Sequence, residues 1–123
     1  MKRRICAVSG SRADYGLLRW TLKEIHDDSK LELYLVVTGS HLLAEYGSSI
    51  DEIEADSIPI SGRIDVIDPT DSAQGVARAI GAGVLRFSET FSQLEPDVLL
   101  LLGDRYEIFA AAVAATALHI PIA

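Results

Sequence analysis

Short apolar runs alternate along this chain with longer segments in which apolar residues recur every three or four positions. The runs predict strands at residues 4–8, 31–38, 63–67 and 98–102, with a fifth strand opening at 120–123. The helical spacing predicts helices at residues 15–29, 41–55, 73–94 and 106–118, the second with a candidate interruption at 47–49. Such alternation is typical of a parallel sheet with right-handed crossovers. We therefore predict an α/β fold, a doubly wound, Rossmann-like parallel sheet with strand order 3-2-1-4-5.

Local signals indicate where several elements begin and end. Asp14 is the expected N-cap of the first helix and Ser72 that of the third, while Pro69 closes the third strand. The fourth helix is apolar on nearly every side, which predicts burial. The third helix holds glycines that indicate either close packing or a local bend: Gly75, Gly81 and Gly83.

Polar residues follow the first and fourth strands, which flank the point where the predicted strand order reverses. Ligands of doubly wound sheets bind there, at the carboxyl ends of the strands. Because a helix start offers unpaired N–H groups, Arg12 beside one is expected to bind a phosphate. Gly10 and Gly16 are expected to permit tight turns and close approach of a ligand.

The loop after the fourth strand contains three charged residues. Asp104 is either a cap for the fourth helix or a carboxylate that works in acid–base chemistry. Arg105 pairs either with Asp104 or with a ligand anion, and Glu107 complements the helix dipole. After the second strand, His41 is expected to make a structural hydrogen bond, with ligand contact as the alternative.

Composition narrows the function classes. The 123 residues fit one domain, and a hydrophobic fraction of 49% supports a packed core. The net charge of −7 argues against general nucleic-acid binding, although residues 1–23 carry a net charge of +5 that fits a local anion site. Scattered histidines and one cysteine give no metal-ligand spacing. One cysteine, no signal-peptide pattern and no membrane-length apolar stretch predict a soluble cytoplasmic protein.

Familiar nucleotide and nucleophile motifs are absent: the chain has no dinucleotide glycine fingerprint, P-loop or nucleophile elbow. Three other motifs occur in order, namely Ser-Gly-Ser-Arg-Ala-Asp-Tyr-Gly at 9–16, Val-Thr-Gly-Ser-His-Leu at 37–42 and Gly-Asp-Arg at 103–105. With Tyr46-Gly47 and their spacing, these motifs resemble hydrolysing UDP-N-acetylglucosamine 2-epimerases of sialic and related nonulosonic acid pathways.

The resemblance implies a glycosyltransferase-B-like enzyme with two Rossmann-like domains, an active site between them and no redox cofactor. It implies release of UDP from UDP-N-acetylglucosamine by elimination to a glycal, then hydration to N-acetylmannosamine, in a homo-oligomer. Arg12, Gly16 and Arg105 match nucleotide-contacting positions, and Asp104 matches a carboxylate required for catalysis. Gly10, Asp14 and His41 would support the loops.

Residues 1–123 correspond to the first domain of that family, incomplete, with no second domain. The family's histidine-glycine-glycine-glutamate segment would follow Ala123, so this chain alone is expected to be inactive. Alternative functions are epimerisation of another nucleotide sugar, such as one carrying diacetylbacillosamine, and glycosyl transfer on the same fold. The non-enzymatic alternative is a receiver-like or assembly domain.

Overall fold

The computed structural model describes residues 1–42, 48–66 and 72–123. Strands and helices alternate through these residues. The strands are β1 (Arg3–Ser9), β2 (Leu31–Thr38), β3 (Ile60–Ile64) and β4 (Val98–Leu101). The helices are α1 (Arg12–Asp27), α2 (Ser48–Ala55), α3 (Ala73–Leu94) and α4 (Tyr106–Ala117), and a short 3-10 helix covers Gly39–Leu42.

The strands form one parallel sheet in the order β3-β2-β1-β4. An isolated parallel bridge joins Leu99 to Ile122, so the residues around Ile122 lie beside β4. That is the position predicted for the fifth strand, and the predicted order is confirmed for the described strands. The carboxyl ends of β1, β2 and β4 consequently share one edge of the sheet.

Apolar side chains cover both faces of the sheet. On one face, Cys6 and Val8 pack with Phe87 of α3 and the alanines of α4. On the other face, Ala7 and Leu35 pack with residues of α1 and α2. This alternation follows from the period of two in strand side chains, and it makes the predicted Rossmann-like fold.

Glycine allows α3 and α4 to approach each other closely. A Cβ built on Gly83 would lie 3.0 Å from the Ala110 Cβ, which confirms the packing interpretation at that position. At Gly81 such an atom would meet nothing within 4 Å, so close packing does not explain that glycine.

Several predicted boundaries are wrong. Helix α1 begins at Arg12, because the Ser11 side chain, and not that of Asp14, caps it by accepting the Asp14 N–H at 3.2 Å. Strand β3 lies three residues earlier than predicted. Of the helix predicted at 41–55 with an interruption at 47–49, the described residues show the end of the 3-10 helix and α2, which begins at Ser48. Pro69, Tyr46 and Gly47 lie outside the described residues.

The long helix α3 matches its predicted bounds, and the Ser72 hydroxyl caps it by accepting the Gly75 N–H at 3.0 Å. Within the described parts of the chain, no helix combines the length and the apolar character needed to cross a membrane.

Candidate anion site at the carboxyl edge

Backbone packing brings the loops after β1, β2 and β4 together. Gly39 has a φ of 62°, and a Cβ there would collide with the Gly10 carbonyl oxygen. Gly103 has a φ of 129°, and a Cβ there would lie 3.4 Å from Asp14 Oδ2. Both positions therefore require glycine, and the loop that precedes α4 lies beside Asp14 in the first turn of α1.

Arg12 is the first residue of α1 and points into solvent, with 66% of its side chain exposed. Its Nη2 donates to Glu52 Oε1 of α2 at 2.5 Å. Exposed ion pairs contribute little stability, so an anionic ligand can displace Glu52 at small cost.

Asp14 lies in the first turn of α1 beside both glycine loops. Its Oδ2 is buried and has no hydrogen-bond partner in the described residues. A Cβ on Gly10 would lie 3.6 Å from this oxygen. The carboxylate is thus held between the loops after β1 and β4, where its charge can act on nearby groups.

Gly16 is inside α1 and not in a turn, so the predicted turn role is wrong. A Cβ on Gly16 would meet nothing within 4 Å. The residue borders a groove of about 220 Å³ between α1 and α2, which Tyr15, Arg19 and Asp56 also line. Space for a ligand therefore remains beside Gly16.

Hydrogen bonds to Asp56 connect three of the residues that line the groove. Arg19 donates from Nε and Nη2 to its two carboxylate oxygens at 2.7 and 2.6 Å, and the Tyr15 hydroxyl donates at 2.6 Å. Hydrogen bonds from Arg19 and then Tyr15 lower the pKa of Asp56. Burial and the Asp56 carboxylate together raise the pKa of Tyr15. We call Tyr15, Arg19 and Asp56 the α1–α2 clamp.

His41 is buried at the end of β2. Its Nε2 lies 2.8 Å from the Ser9 hydroxyl and its Nδ1 lies 3.0 Å from the Ser49 hydroxyl. Burial lowers the pKa of His41, while the nearby Asp14 charge opposes that shift. Both ring nitrogens are used within the fold, where they connect β1, the 3-10 helix and α2.

In the loop after β4, the predicted pairing of Arg105 with Asp104 is wrong, while its pairing with a ligand anion stays a prediction. Arg105 is the N-cap residue of α4, without a capping side-chain hydrogen bond, so the interpretation of Asp104 as the cap is wrong. Arg105 instead donates from Nε to Glu107 Oε2 at 3.2 Å. Asp104 is exposed, and its carboxylate makes no hydrogen bond to the described residues. It is therefore free to act on a ligand.

Comparison with known proteins identifies the family. A family model described as UDP-N-acetylglucosamine 2-epimerase matches residues 23–123. The chain belongs to this family. The expectation drawn from its three motifs is confirmed.

Individual epimerases of the family match almost the whole chain. The UDP-N,N'-diacetylbacillosamine 2-epimerase (hydrolyzing) of Legionella pneumophila is 48% identical over 99% of the chain and 32% of the relative. The GDP/UDP-N,N'-diacetylbacillosamine 2-epimerase (hydrolyzing) of Campylobacter jejuni is 36% identical over 98% of the chain and 31% of the relative. The chain thus spans about a third of these curated relatives.

A solved epimerase structure shares the fold. The UDP-GlcNAc 2-epimerase from Neisseria meningitidis bound to UDP-GlcNAc superposes with a TM-score of 0.81 at 18% identity, over 97% of this chain and 30% of that one. The likeness confirms the Rossmann-like fold of this epimerase-family chain.

Sequence reasoning missed several polar contacts at this edge of the epimerase-family chain. The sequence predicts Glu107 only as a first-turn acid that complements the helix dipole, and its side chain is fully buried. Ser9 ends an apolar strand, and that position at the sheet edge is the only signal of its bond to His41. Asp56 gives no local signal, because its partners lie 37 and 41 residues away. Among the described residues, no cluster of three metal-ligating side chains occurs.

Proposed function

We propose that this chain is the N-terminal domain of a hydrolysing nucleotide-sugar 2-epimerase, whose active site a second domain completes. The 48% identity to a UDP-N,N'-diacetylbacillosamine 2-epimerase over 99% of the chain carries the proposal. The same relative supports UDP-N,N'-diacetylbacillosamine as the substrate. UDP-N-acetylglucosamine is the second candidate, because the family model bears its name and a structure of the same fold binds it.

The proposed reaction releases UDP and inverts the configuration at C2 of the sugar. A base removes the C2 proton while the bond from C1 to the diphosphate oxygen breaks, which gives a glycal and UDP. Water then adds across the double bond, with hydroxyl at C1 and a proton at C2 on the opposite face. No redox cofactor enters this balance.

Each site residue has a proposed role that suits its position. Arg12 and Arg105 contact the phosphates and stabilise the negative charge that develops on the departing diphosphate. Asp104, which is exposed beside Arg105, takes part in proton transfer. Gly16 leaves room for the nucleotide beside α1. Gly10, Asp14 and His41 support these loops.

The single cysteine and a nucleotide-sugar substrate favour a cytoplasmic enzyme. The family resemblance supports a homo-oligomer in sialic or related nonulosonic acid biosynthesis.

The decisive experiment incubates the full-length protein with UDP-N,N'-diacetylbacillosamine and, separately, with UDP-N-acetylglucosamine. We expect UDP release and a free sugar of inverted C2 configuration from the first substrate, detected by chromatography and NMR. Faster turnover of the second substrate would reassign the sugar. Transfer of the sugar to an acceptor would identify a glycosyltransferase, and no nucleotide binding at all would favour an assembly domain.

Two variants test the assigned roles. Arg12→Ala is expected to weaken UDP binding by about 2 kcal/mol, the scale of a hydrogen bond to a charged group, measured by calorimetry. Asp104→Asn is expected to lower kcat at least about 100-fold, the scale of general acid–base catalysis, with little change in UDP affinity. Unchanged UDP affinity in the first variant would remove Arg12 from the site, and unchanged turnover in the second would remove Asp104 from the chemistry.

A further inference from the structure

We propose that Glu107 is a positioning residue that holds Arg105 by its Nε and directs the terminal guanidinium nitrogens toward a phosphate of the bound nucleotide. The inference rests on the proposed function, because it takes Arg105 as a nucleotide contact. It concerns a residue that the motif match leaves unassigned.

The burial of Glu107 is the first observation. An acid in the first turn of a helix ordinarily remains in water, where it interacts with the helix dipole. The Glu107 side chain is instead 0% exposed, against 50% for its partner Arg105. A Cβ on Gly39 would lie 3.1 Å from Glu107 Oε1, so the carboxylate is enclosed beneath the loop after β2.

Burying a carboxylate is unfavourable unless it is paired, and within the described residues Glu107 has a single N–H group as its partner. Arg105 Nε lies 3.2 Å from Oε2 and 3.4 Å from Oε1, so this one hydrogen is shared between the two oxygens. A well-packed apolar side chain would avoid that desolvation, so stability alone is a poor reason for an acid at Glu107.

The N–H donors that Arg105 keeps free explain why an acid lies at Glu107. A guanidinium carries five N–H donors, of which Nε holds one and the terminal nitrogens hold four. The terminal nitrogens of Arg105 make no hydrogen bond to the described part of the chain. Fixing Nε orders most of the side chain in advance, which reduces the entropy lost when a phosphate binds.

Arg12 provides the contrast within the same site. Its terminal Nη2 is the atom bound to Glu52, and that carboxylate is 41% exposed. Glu52 therefore competes with a phosphate for the terminal nitrogens of Arg12. Arg105 can bind a phosphate without releasing Glu107, so the two arginines differ in how far they are preorganised.

The test measures UDP binding by calorimetry in the full-length protein and in Glu107→Gln. Removing a negative charge near a phosphate site would, by Coulomb attraction alone, tighten UDP binding. If Glu107 positions Arg105, the variant should instead bind UDP more weakly. We expect the affinity to fall about tenfold, because the neutral amide of the introduced glutamine holds Arg105 Nε more weakly than the carboxylate does. In an Arg105→Ala background, Glu107→Gln should weaken UDP binding no further.

Two further variants separate positioning from general loss of structure. Glu107→Asp keeps the charge but withdraws the carboxylate, and it should also weaken UDP binding about tenfold. Glu54→Gln makes the same chemical change in an exposed pair with Arg63, 3.8 Å apart, and should leave both UDP affinity and melting temperature unchanged.

The outcomes are distinguishable. Wild-type protein that does not bind UDP overturns the proposed function and this inference with it. Wild-type protein that binds UDP, with affinity unchanged or tightened in Glu107→Gln and unchanged in Glu107→Asp, overturns the inference alone. The inference is also overturned if Glu107→Gln weakens UDP binding equally in the wild-type and the Arg105→Ala backgrounds.

Discussion

At the residue scale, Gly16 presents a conflict between stability and space. Glycine inside a helix costs about 1 kcal/mol relative to alanine. No neighbouring atom lies where a Cβ would be, so packing within the chain does not require glycine at this position. The proposed nucleotide contact accounts for it, because the missing Cβ leaves room for a ligand against the helix.

We therefore expect Gly16→Ala to raise the free energy of unfolding by up to about 1 kcal/mol and to lower UDP affinity in the full-length protein. Urea unfolding and calorimetry measure the two effects. Gly81→Ala is the matched control, because Gly81 is also helical and has equally open surroundings. Gly81→Ala should stabilise the fold without affecting UDP binding. Equal UDP affinity in Gly16→Ala and Gly81→Ala would contradict the proposed contact at Gly16.

Some residue roles could not be predicted from the sequence. Ser11 and Asp14 are both good N-cap residues, and only the backbone path after β1 selects Ser11. The position of Arg12, Asp104 and Arg105 at one edge could be predicted, because residues that follow the strands of a parallel sheet meet there. Their roles toward a ligand stay predictions. The pairing of Arg105 with Glu107 depends on how the side chain turns inward, which composition and spacing do not record.

At the element scale, the α1–α2 clamp and His41 attach α2 to the rest of the fold. The clamp joins residues of α1 to Asp56, directly after α2. His41 reaches Ser49 in the first turn of α2. Glu52, the partner of Arg12, belongs to the same helix, so the position of α2 affects the anion site.

Asp56→Ala should lower the free energy of unfolding by about 1 to 2 kcal/mol, since charged hydrogen bonds are lost but water screens the partly exposed Arg19. The folded-state pKa of Asp56 is lowered, so its contribution is fully present above its unfolded pKa of about 3.9. The contribution is lost as pH falls through the lower folded pKa. Urea unfolding at several pH values should therefore show wild type and variant converging below about pH 4.

Glu54→Ala removes an exposed carboxylate 3.8 Å from Arg63 and serves as the control. It should change stability by less than about 0.5 kcal/mol at any of these pH values. A wild-type advantage over Asp56→Ala that persists undiminished at low pH would contradict the assignment of the clamp to the ionised carboxylate.

Element bounds were predictable where two independent signals agreed. Helix α3 has a Ser72 cap, a continuous apolar face and a proline beyond its end, and its observed bounds match the prediction. Strand β3 lies at an edge of the sheet, where pairing on one side only leaves a weak apolar pattern. Its position depends on the register with β2, which shifts by one β3 residue opposite Leu35 and Val36, and no local signal encodes that shift.

At the scale of the whole molecule, the connectivity of the sheet determines both the fold and the position of the candidate site. Parallel order with right-handed crossovers was predictable because strand and helix alternate along the chain. The same topology explains why loops distant in sequence form one site. Gly39 and Gly103 could be recognised as glycines in the sequence, but their contacts could not be predicted, because their neighbours come from the loop after β1 and from α1 and α4.

The surroundings of Trp20 give the molecule a spectroscopic signal. The indole is 66% exposed, with Arg19 Cζ 5.1 Å and Lys23 Nζ 5.0 Å from the ring centroid. Arg19 is also held by Asp56, so protonating that carboxylate frees a cation that lies against the ring. Fluorescence emission should therefore change as acid neutralises Asp56, and the change should be absent in Trp20→Phe and in Asp56→Ala. Light emitted by the Trp20 indole would then report whether α1 remains joined through Asp56 to the end of α2.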